Sequence, residues 1–330
     1  FHPDFVFAKN VKPLVLFPQT RHPFLWYLWF EFSVPKFLKK NNIDLFFSPD
    51  GYLSLNTNVK TLLTIHDLNF EHFPEQLPFL TRKYYQYFTP KFCKKADAII
   101  TVSQQSKKDI VKQYGIEKSK ISAIYNGANK MYRPLEEIEK QEVKEKYTDG
   151  SDFFYFVGSL HPRKNIKGLM KGFNQFCEQT KSDVKLLVIG EPMWKNKETN
   201  IVFEKLEHKN RILFLGRKEM EELTKIAASA IALTFVPFFE GFGIPLAEAM
   251  HCHTPIITSG VSCLPEIAGN TAIYANPNDV NSIANAMGEM YSNDNKRNKL
   301  IVNCKIRKTA FSWDKAASEV WEILEQNLPC

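Results

Sequence analysis

The run Phe238-Phe239-Glu240-Gly241-Phe242-Gly243-Ile244-Pro245-Leu246-Ala247-Glu248 organises the reading of this chain. Its front half, residues 238–243, reads as a loop leaving an apolar strand. Its back half, from Pro245 to Met250, reads as the first turns of a helix. A glycine-bearing loop that feeds a helix N-terminus offers free backbone N–H groups and the positive end of the helix dipole, which suits a phosphate. Glu240 falls in the loop, where a carboxylate can reach a ligand. Glu248 falls within the helix, where a carboxylate can accept hydrogen bonds from a diol such as a ribose. The plain alternative is an ordinary strand-loop-helix with two solvated glutamates.

Working outward, short apolar runs alternate with longer helical patterns, which argues for βα repeats and parallel sheets. In the first half, strands are expected at 13–17, 43–48, 61–65, 98–102 and 121–125, with helices at 77–95 and 104–114. Residues 135–150 are charged and polar and read as a helical or loose linker. The second half restarts with strands at 153–157, 185–189, 212–215, 231–235, 256–258 and 272–274, helices between them, and a helix at 279–292, a complete doubly wound domain. The last segment places Trp313, Ala317, Val320, Trp321, Leu324 and Leu328 on one helical face. The expected division is 1–134, 135–310, and a terminal helix in 311–330.

Two further stretches carry chemistry. Gly158-Ser159-Leu160-His161-Pro162-Arg163-Lys164-Asn165 follows a strand and precedes a helix. Its adjacent cations suit a diphosphate, lysine as a point charge and arginine as a planar fork of donors. His66-Asp67 closes the strand at 61–65, so the imidazole faces the edge where doubly wound sheets bind ligands. Gly216 closes another strand on such an edge, where a glycine lets a ligand come close to the backbone.

Together these stretches resemble the signature of retaining GT-B glycosyltransferases, in particular glycosyltransferase family 4. The resemblance covers nearly the whole chain and implies two Rossmann-like domains, the second holding a nucleotide-sugar donor and the first the acceptor. It implies that Glu240 sits at the donor sugar and Glu248 at the nucleotide ribose, with Gly241, Phe242, Gly243 and Ile244 around the donor between them. It implies that a basic pair in the 158–165 loop neutralises the leaving diphosphate. Many members carry arginine directly after the glycine. Here Ser159 follows Gly158, so the charge role passes to Arg163 and Lys164. By the same resemblance His66 lies near the donor sugar and Gly216-Arg217 against the nucleotide base. Ser103 and Asn126-Gly127 match strand ends of the family and either line the cleft or serve as turn and cap residues. Leu264-Pro265-Glu266 matches a further element, expected to be structural. The last helix is expected to cross back to the first domain. Family members open with a strand, a Gly-rich loop and a helix, and no such unit is found after the fragment 2–7. The first domain is therefore expected to lack its opening βα unit, and the chain to bind donor but transfer sugar poorly.

Composition fits a soluble protein with 44% hydrophobic and 24% charged residues. The six cysteines show no CxxC pair and no metal-ligand spacing, and read as reduced thiols. Residues 1–134 hold 19 Lys+Arg against 10 Asp+Glu, whereas residues 135–330 hold 24 against 26. An excess confined to one half suggests an anionic partner there, such as a membrane surface, a lipid diphosphate or nucleic acid, or simply a basic surface. The aromatic run at 24–30 ahead of Lys36, Lys39 and Lys40 suits a membrane interface and equally a helix packed on the sheet. No DxD-like pattern stands where a diphosphate would need a metal, so metal independence and no cofactor beyond the donor are expected. The resemblance favours GDP-mannose over UDP-sugars, a glycan or lipid-linked acceptor, and a cytoplasmic location with or without attachment to the inner membrane face. An epimerase or phosphorylase of the same fold, and a non-enzymatic basic scaffold, stay open.

Overall fold

A computed structural model describes residues 9–191 and 197–328, Lys197 by its backbone alone. The chain divides into two compact units, one of Phe1–Thr101, Lys107–Ser122 and Val320–Cys330, the other of Val102–Ser106 and Ala123–Glu319.

The first unit opens with α1 (Pro23–Leu28), a π-helical turn (Trp29–Ser33) and α2 (Val34–Lys40). There follow β1 (Leu45–Ser48), β2 (Lys60–Ile65), α3 (Asn69–His72), α4 (Phe79–Lys95), β3 (Ala98–Thr101), all but the first turn of α5 (Gln104–Tyr114), and all but the last residue of β4 (Ile121–Ala123). The sheet runs β1-β2-β3-β4, with β1 and β3 parallel to β2. In β2, Thr61 to Ile65 are all buried, as an apolar parallel strand covered on both faces should be.

The strand expected at 13–17 does not form, and residues 11–16 have no regular structure. Leu14, Val15 and Phe17 stay 62%, 65% and 72% exposed. Pro13 and Pro18 bracket the run and supply no N–H to a ladder, and among the described residues no strand takes up its remaining groups. Its carbonyls go instead to side chains, Leu16 accepting from the Trp29 indole at 3.2 Å and Phe17 from the Ser33 hydroxyl. The fragment 2–7 lies outside the described residues.

The aromatic run divides by residue. Trp26 packs against Tyr84 at 5.3 Å and Tyr52 at 5.5 Å, and Phe30 stacks on Tyr52 at 5.2 Å. Phe24 and Phe32 remain exposed. Glu31 is buried, but its carboxylate accepts the backbone N–H groups of Leu55 and Asn56 at 3.0 and 3.1 Å. Those two bonds offset a burial that pushes its carboxyl group above the usual range.

The second unit contains α6 (Glu137–Thr148), β5 (Phe153–Val157), α7 (Ile166–Thr180), β6 (Lys185–Ile189), α8 (Lys197–Glu204), β7 (Ile212–Gly216), α9 (Met220–Ser229), β8 (Ala232–Phe235), α10 (Ile244–His251), β9 (Ile256–Ser259), α11 (Leu264–Ala268), β10 (Ala272–Ala275), α12 (Val280–Ser292) and α13 (Asp294–Arg307), and the last helix, α14 (Trp313–Asn327), starts in this unit and belongs to the first from Val320 on. The expected linker is helix α6, opened by a capping box between Glu136 and Glu139 and closed by Asp149 in the left-handed region. Phe153, Phe154 and Phe156 of β5 are wholly buried, each worth about 1.5–3 kcal/mol of transfer free energy. Of the apolar face expected on α14, Trp313 and Trp321 stay 47% and 61% exposed. The helix forms, but that stripe is only partly covered.

The sheet is parallel throughout, in the order β10-β9-β8-β5-β6-β7. The chain starts at β5 in the middle, builds out through β6 and β7, then returns to β8 on the other flank. Strand order therefore reverses between β5 and β8, in register at Phe154 and Ala232. In open α/β sheets ligands bind beyond the C-terminal ends of the strands at this reversal. The loops that leave β5 and β8 are the two singled out from sequence.

Candidate functional site

The loop after β5 bends away at Gly158, whose N–H donates to Ile189 O at 3.0 Å. Gly190 lies so close beneath it that a Cβ there would meet Gly158 O at 1.9 Å, at a φ of +140°. Pro162–Lys164 then form a single 3-10 turn, in which the His161 Nδ1 accepts the Arg163 N–H at 3.3 Å. Asn165, buried with φ 58°, ends this turn and begins α7. Its amide donates to Val236 O at 3.1 Å and Pro277 O at 2.8 Å. Phe238 N–H donates to Arg163 O at 2.9 Å, so the loops after β5 and β8 are joined through their backbones.

That joining brings together three of the charged residues expected at a site. Glu240 Oε1 lies 2.9 Å from Arg163 Nη1 and 2.5 Å from Lys164 Nζ. The side chains are 9%, 15% and 14% exposed respectively, so the ions are largely withdrawn from water yet paired. Arg163 Nη1 also donates to Phe239 O at 2.6 Å, and Lys164 Nζ stands 4.9 Å from the centre of the Phe235 ring. Burial, and then the charges of Arg163 and Lys164, hold His161 below the usual imidazole range, which keeps it neutral at physiological pH.

The main chain around Glu240 is fixed from several sides. Glu240 O accepts from the Ser262 hydroxyl and from Cys263 Sγ at 3.2 Å. Gly241 O accepts from the hydroxyls of Ser103 and Ser106 at 2.8 and 3.2 Å. The buried Phe242 ring packs on Phe311 at 5.8 Å and Tyr125 at 6.1 Å. Gly243 takes φ 84° at the start of α10 and has no side-chain cap, and the next residue, Ile244, is 39% exposed. The N–H groups and dipole of α10 are thus available to an anion at the C-terminal edge of the sheet.

Glu248 lies further along α10 and bonds to the hydroxyl of Tyr132, which is 4% exposed. Burial pushes its carboxyl up to about 7, with the Tyr132 bond opposing the rise. Because the folded value lies above the ordinary 4.5, stability is fully present below about pH 4.5 and is lost as pH rises through about 7. We expect Glu248→Gln to melt higher than the parent at pH 8, by an amount corresponding to at most roughly 3 kcal/mol, and to converge with it near pH 5. Equal melting shifts at both values would show that Glu248 is not burdened by its burial.

The remaining residues fall into three groups. Gly216 ends β7 with φ 65°, its carbonyl accepting Gly190 N–H at 2.9 Å, and Arg217 beside it is exposed. Both lie on the same sheet edge, as does the half-buried Ser159. His66 belongs to the first unit, where Nε2 meets Pro49 O at 2.8 Å and the ring lines a cavity of about 300 Å³ with Asp50, Asp67 and Tyr85. Ser103, Gly127 and Glu266 make close contacts within the second unit. The Ser103 hydroxyl accepts Ser106 N–H at 3.0 Å. A Cβ on Gly127 would meet Trp313 N at 2.2 Å. The Glu266 carboxylate accepts the N–H groups of Gln104 and Gln105 at 2.7 and 2.9 Å. Tyr132 and Ser262 were not anticipated, since neither sits in a motif. Ser262 takes a left-handed φ of 57°. Among the described residues, the cluster that could gather around a cation is Glu178, Glu207 and His208, which lies ahead of β7 at the opposite edge of the sheet.

Two parallel α/β units, one built around a strand reversal with an anion-ready helix and a buried Arg-Lys-Glu cluster, define a GT-B protein. The chain belongs to the glycosyltransferases. Residues 137–307 match the family Glycosyl transferases group 1, and residues 2–130 match Glycosyltransferase Family 4. The O-antigen chain mannosyltransferase RfbU of Salmonella typhimurium is 30% identical over 266 residues, 80% of this chain and 70% of that protein. The O-antigen chain mannosyltransferase B of Escherichia coli is 26% identical over 279 residues, 83% of this chain and 72% of that protein. In fold the chain resembles the solved structure of Anabaena Alr3699/HepE in complex with UDP and glucose. The TM-score is 0.73 at 19% identity, over 88% of this chain and 80% of that one. Among the described residues, no helix is long and apolar enough to cross a membrane.

Proposed function

We propose that this glycosyltransferase moves mannose, with retention of configuration, from a nucleotide sugar to a glycan or lipid-linked acceptor in surface polysaccharide assembly. The observation that carries the donor reading is the meeting of Arg163, Lys164 and Glu240 beside the uncapped start of α10 at the strand reversal. The names of the two mannosyltransferases support the sugar and the pathway, and the UDP and glucose of the Anabaena structure support a nucleotide-sugar donor. In this reading Arg163, Lys164 and the α10 dipole stabilise the leaving diphosphate, the electrostatic contribution that dominates such sites. Glu240 addresses the sugar, Glu248 the ribose, and Gly216 and Arg217 the base. No carboxylate is assigned as a nucleophile. GDP-mannose is the favoured donor, with UDP-sugars next.

A thermal-shift panel of GDP, UDP and their sugars tests the donor. The family of nucleotides that raises the melting temperature identifies the base, and no shift with any of them would defeat the reading. Turnover of donor without acceptor would mark an epimerase or phosphorylase instead. Because the positive charge comes from side chains and a helix end, transfer should survive excess EDTA. Loss of activity restored by Mg²⁺ or Mn²⁺ would defeat that expectation.

The proposal includes attachment to an anionic bilayer through the first unit. Helix α4 has no acidic residue and carries Arg82, Lys83, Lys91, Lys94 and Lys95. Its Phe79, Leu80 and Tyr87 are 62%, 55% and 58% exposed, and Lys91 Nζ stands 3.4 Å above the Tyr87 ring. Apolar side chains among unpaired-sign charges suit the headgroup region. Vesicles containing phosphatidylglycerol should sediment the protein and pure phosphatidylcholine should not. Reversing Lys83 and Lys91 to Glu should weaken binding to these vesicles by about 4 kcal/mol, two units of charge at each position. Equal sedimentation with both lipids would rule out charge as the cause.

A further inference from the structure

We propose that Glu240 sets which ligand the site retains, favouring an intact nucleotide sugar over the nucleoside diphosphate that transfer leaves behind. The inference rests on the donor reading above. The two cations assigned to the diphosphate are already held by a carboxylate, at 2.9 and 2.5 Å. A diphosphate therefore enters by exchange, displacing one anion from Arg163 and Lys164 with another. The loop does not swing away to permit this, because the Glu240 carbonyl is held by Ser262 and Cys263 and the next carbonyl by Ser103 and Ser106. Only the side chain turns.

What the displaced carboxylate meets decides the outcome. Its side chain is 9% exposed, so water satisfies little of it, and a buried charge without donors is costly. An intact nucleotide sugar carries hydroxyl groups next to its diphosphate, and these can donate to the released carboxylate. A bare diphosphate offers none and brings a further ionisable oxygen beside the same carboxylate. The two anions then compete for one pair of cations at short range. Glu240 thus opposes the product and tolerates the substrate, which assists product release.

Calorimetry with GDP, UDP and the matching nucleotide sugars tests this on the parent chain, Glu240→Gln, Glu240→Asp and Arg163→Ala. Glu240→Gln should bind the bare diphosphate about tenfold tighter or more, gain less for the intact sugar nucleotide, and so lose its preference for the latter. Glu240→Asp, which keeps the charge but is too short to reach both cations, should shift the same way by less, and serves if the Gln variant does not fold. Diphosphate affinity in both Glu240 variants no higher than in the parent would overturn the exchange. If Arg163→Ala leaves diphosphate affinity unchanged, the donor reading itself falls and the inference with it.

Discussion

Replacing Arg163 and Lys164 together by alanine should abolish measurable nucleoside diphosphate binding. Each charge-assisted bond to a phosphate oxygen is worth roughly 1.5–3 kcal/mol, so losing both removes several kcal/mol of affinity. The substitution should also destabilise the fold. It leaves Glu240 largely buried beside no cation, a situation that costs about 3–5 kcal/mol for a fully buried pair. The residual exposure of all three side chains places the effect near the lower bound. Calorimetry at low salt and a thermal melt separate the two consequences. Undiminished affinity in a folded double variant would remove both residues from the site.

The second large effect concerns the two glutamates, which should fail in different ways. Glu240→Ala should lower kcat by about 10²–10³, the loss typical of one electrostatic group at a reacting centre, without weakening nucleotide binding. Glu248→Ala should raise the donor Kd and leave the chemical step less affected. Removing its carboxylate also leaves the Tyr132 hydroxyl without its partner, so the melting temperature must be followed alongside. The opposite pattern, with Glu240→Ala weakening nucleotide binding and Glu248→Ala slowing turnover, would reverse the assignment of sugar and ribose.

The second unit was readable from sequence because its central strands are buried on both faces. A covered parallel strand is a continuous apolar run between turn signals, and β5, β6 and β8 have that form. The same signal misled at 13–17, where an apolar-rich run has two prolines at its ends and, among the described residues, no strand to pair with. Pattern reports what a segment prefers, and pairing depends on a neighbour. The site shows the same division. Residue types and loop positions marked Arg163, Lys164, Glu240 and Glu248 as ligand-facing. That the first three would hold one another was not readable, since Glu240 stands 76 and 77 positions from its partners and closes on them only when β8 returns beside β5. Tyr132 was missed for a related reason. It lies just ahead of Arg133-Pro134, which reads as a break, and its hydroxyl acquires meaning only from Glu248, more than a hundred residues later.

The amide of Asn165 has a consequence for anyone who would re-engineer this protein. One nitrogen ties the segment after β5 to carbonyls in the segments after β8 and after β10. Those three stretches behave as a single part with three chain entries. Transplanting one of them from a relative with another sugar preference would carry over the new side chains but lose the fastening that aims them. A successful graft would move 158–165, 236–243 and 276–279 together.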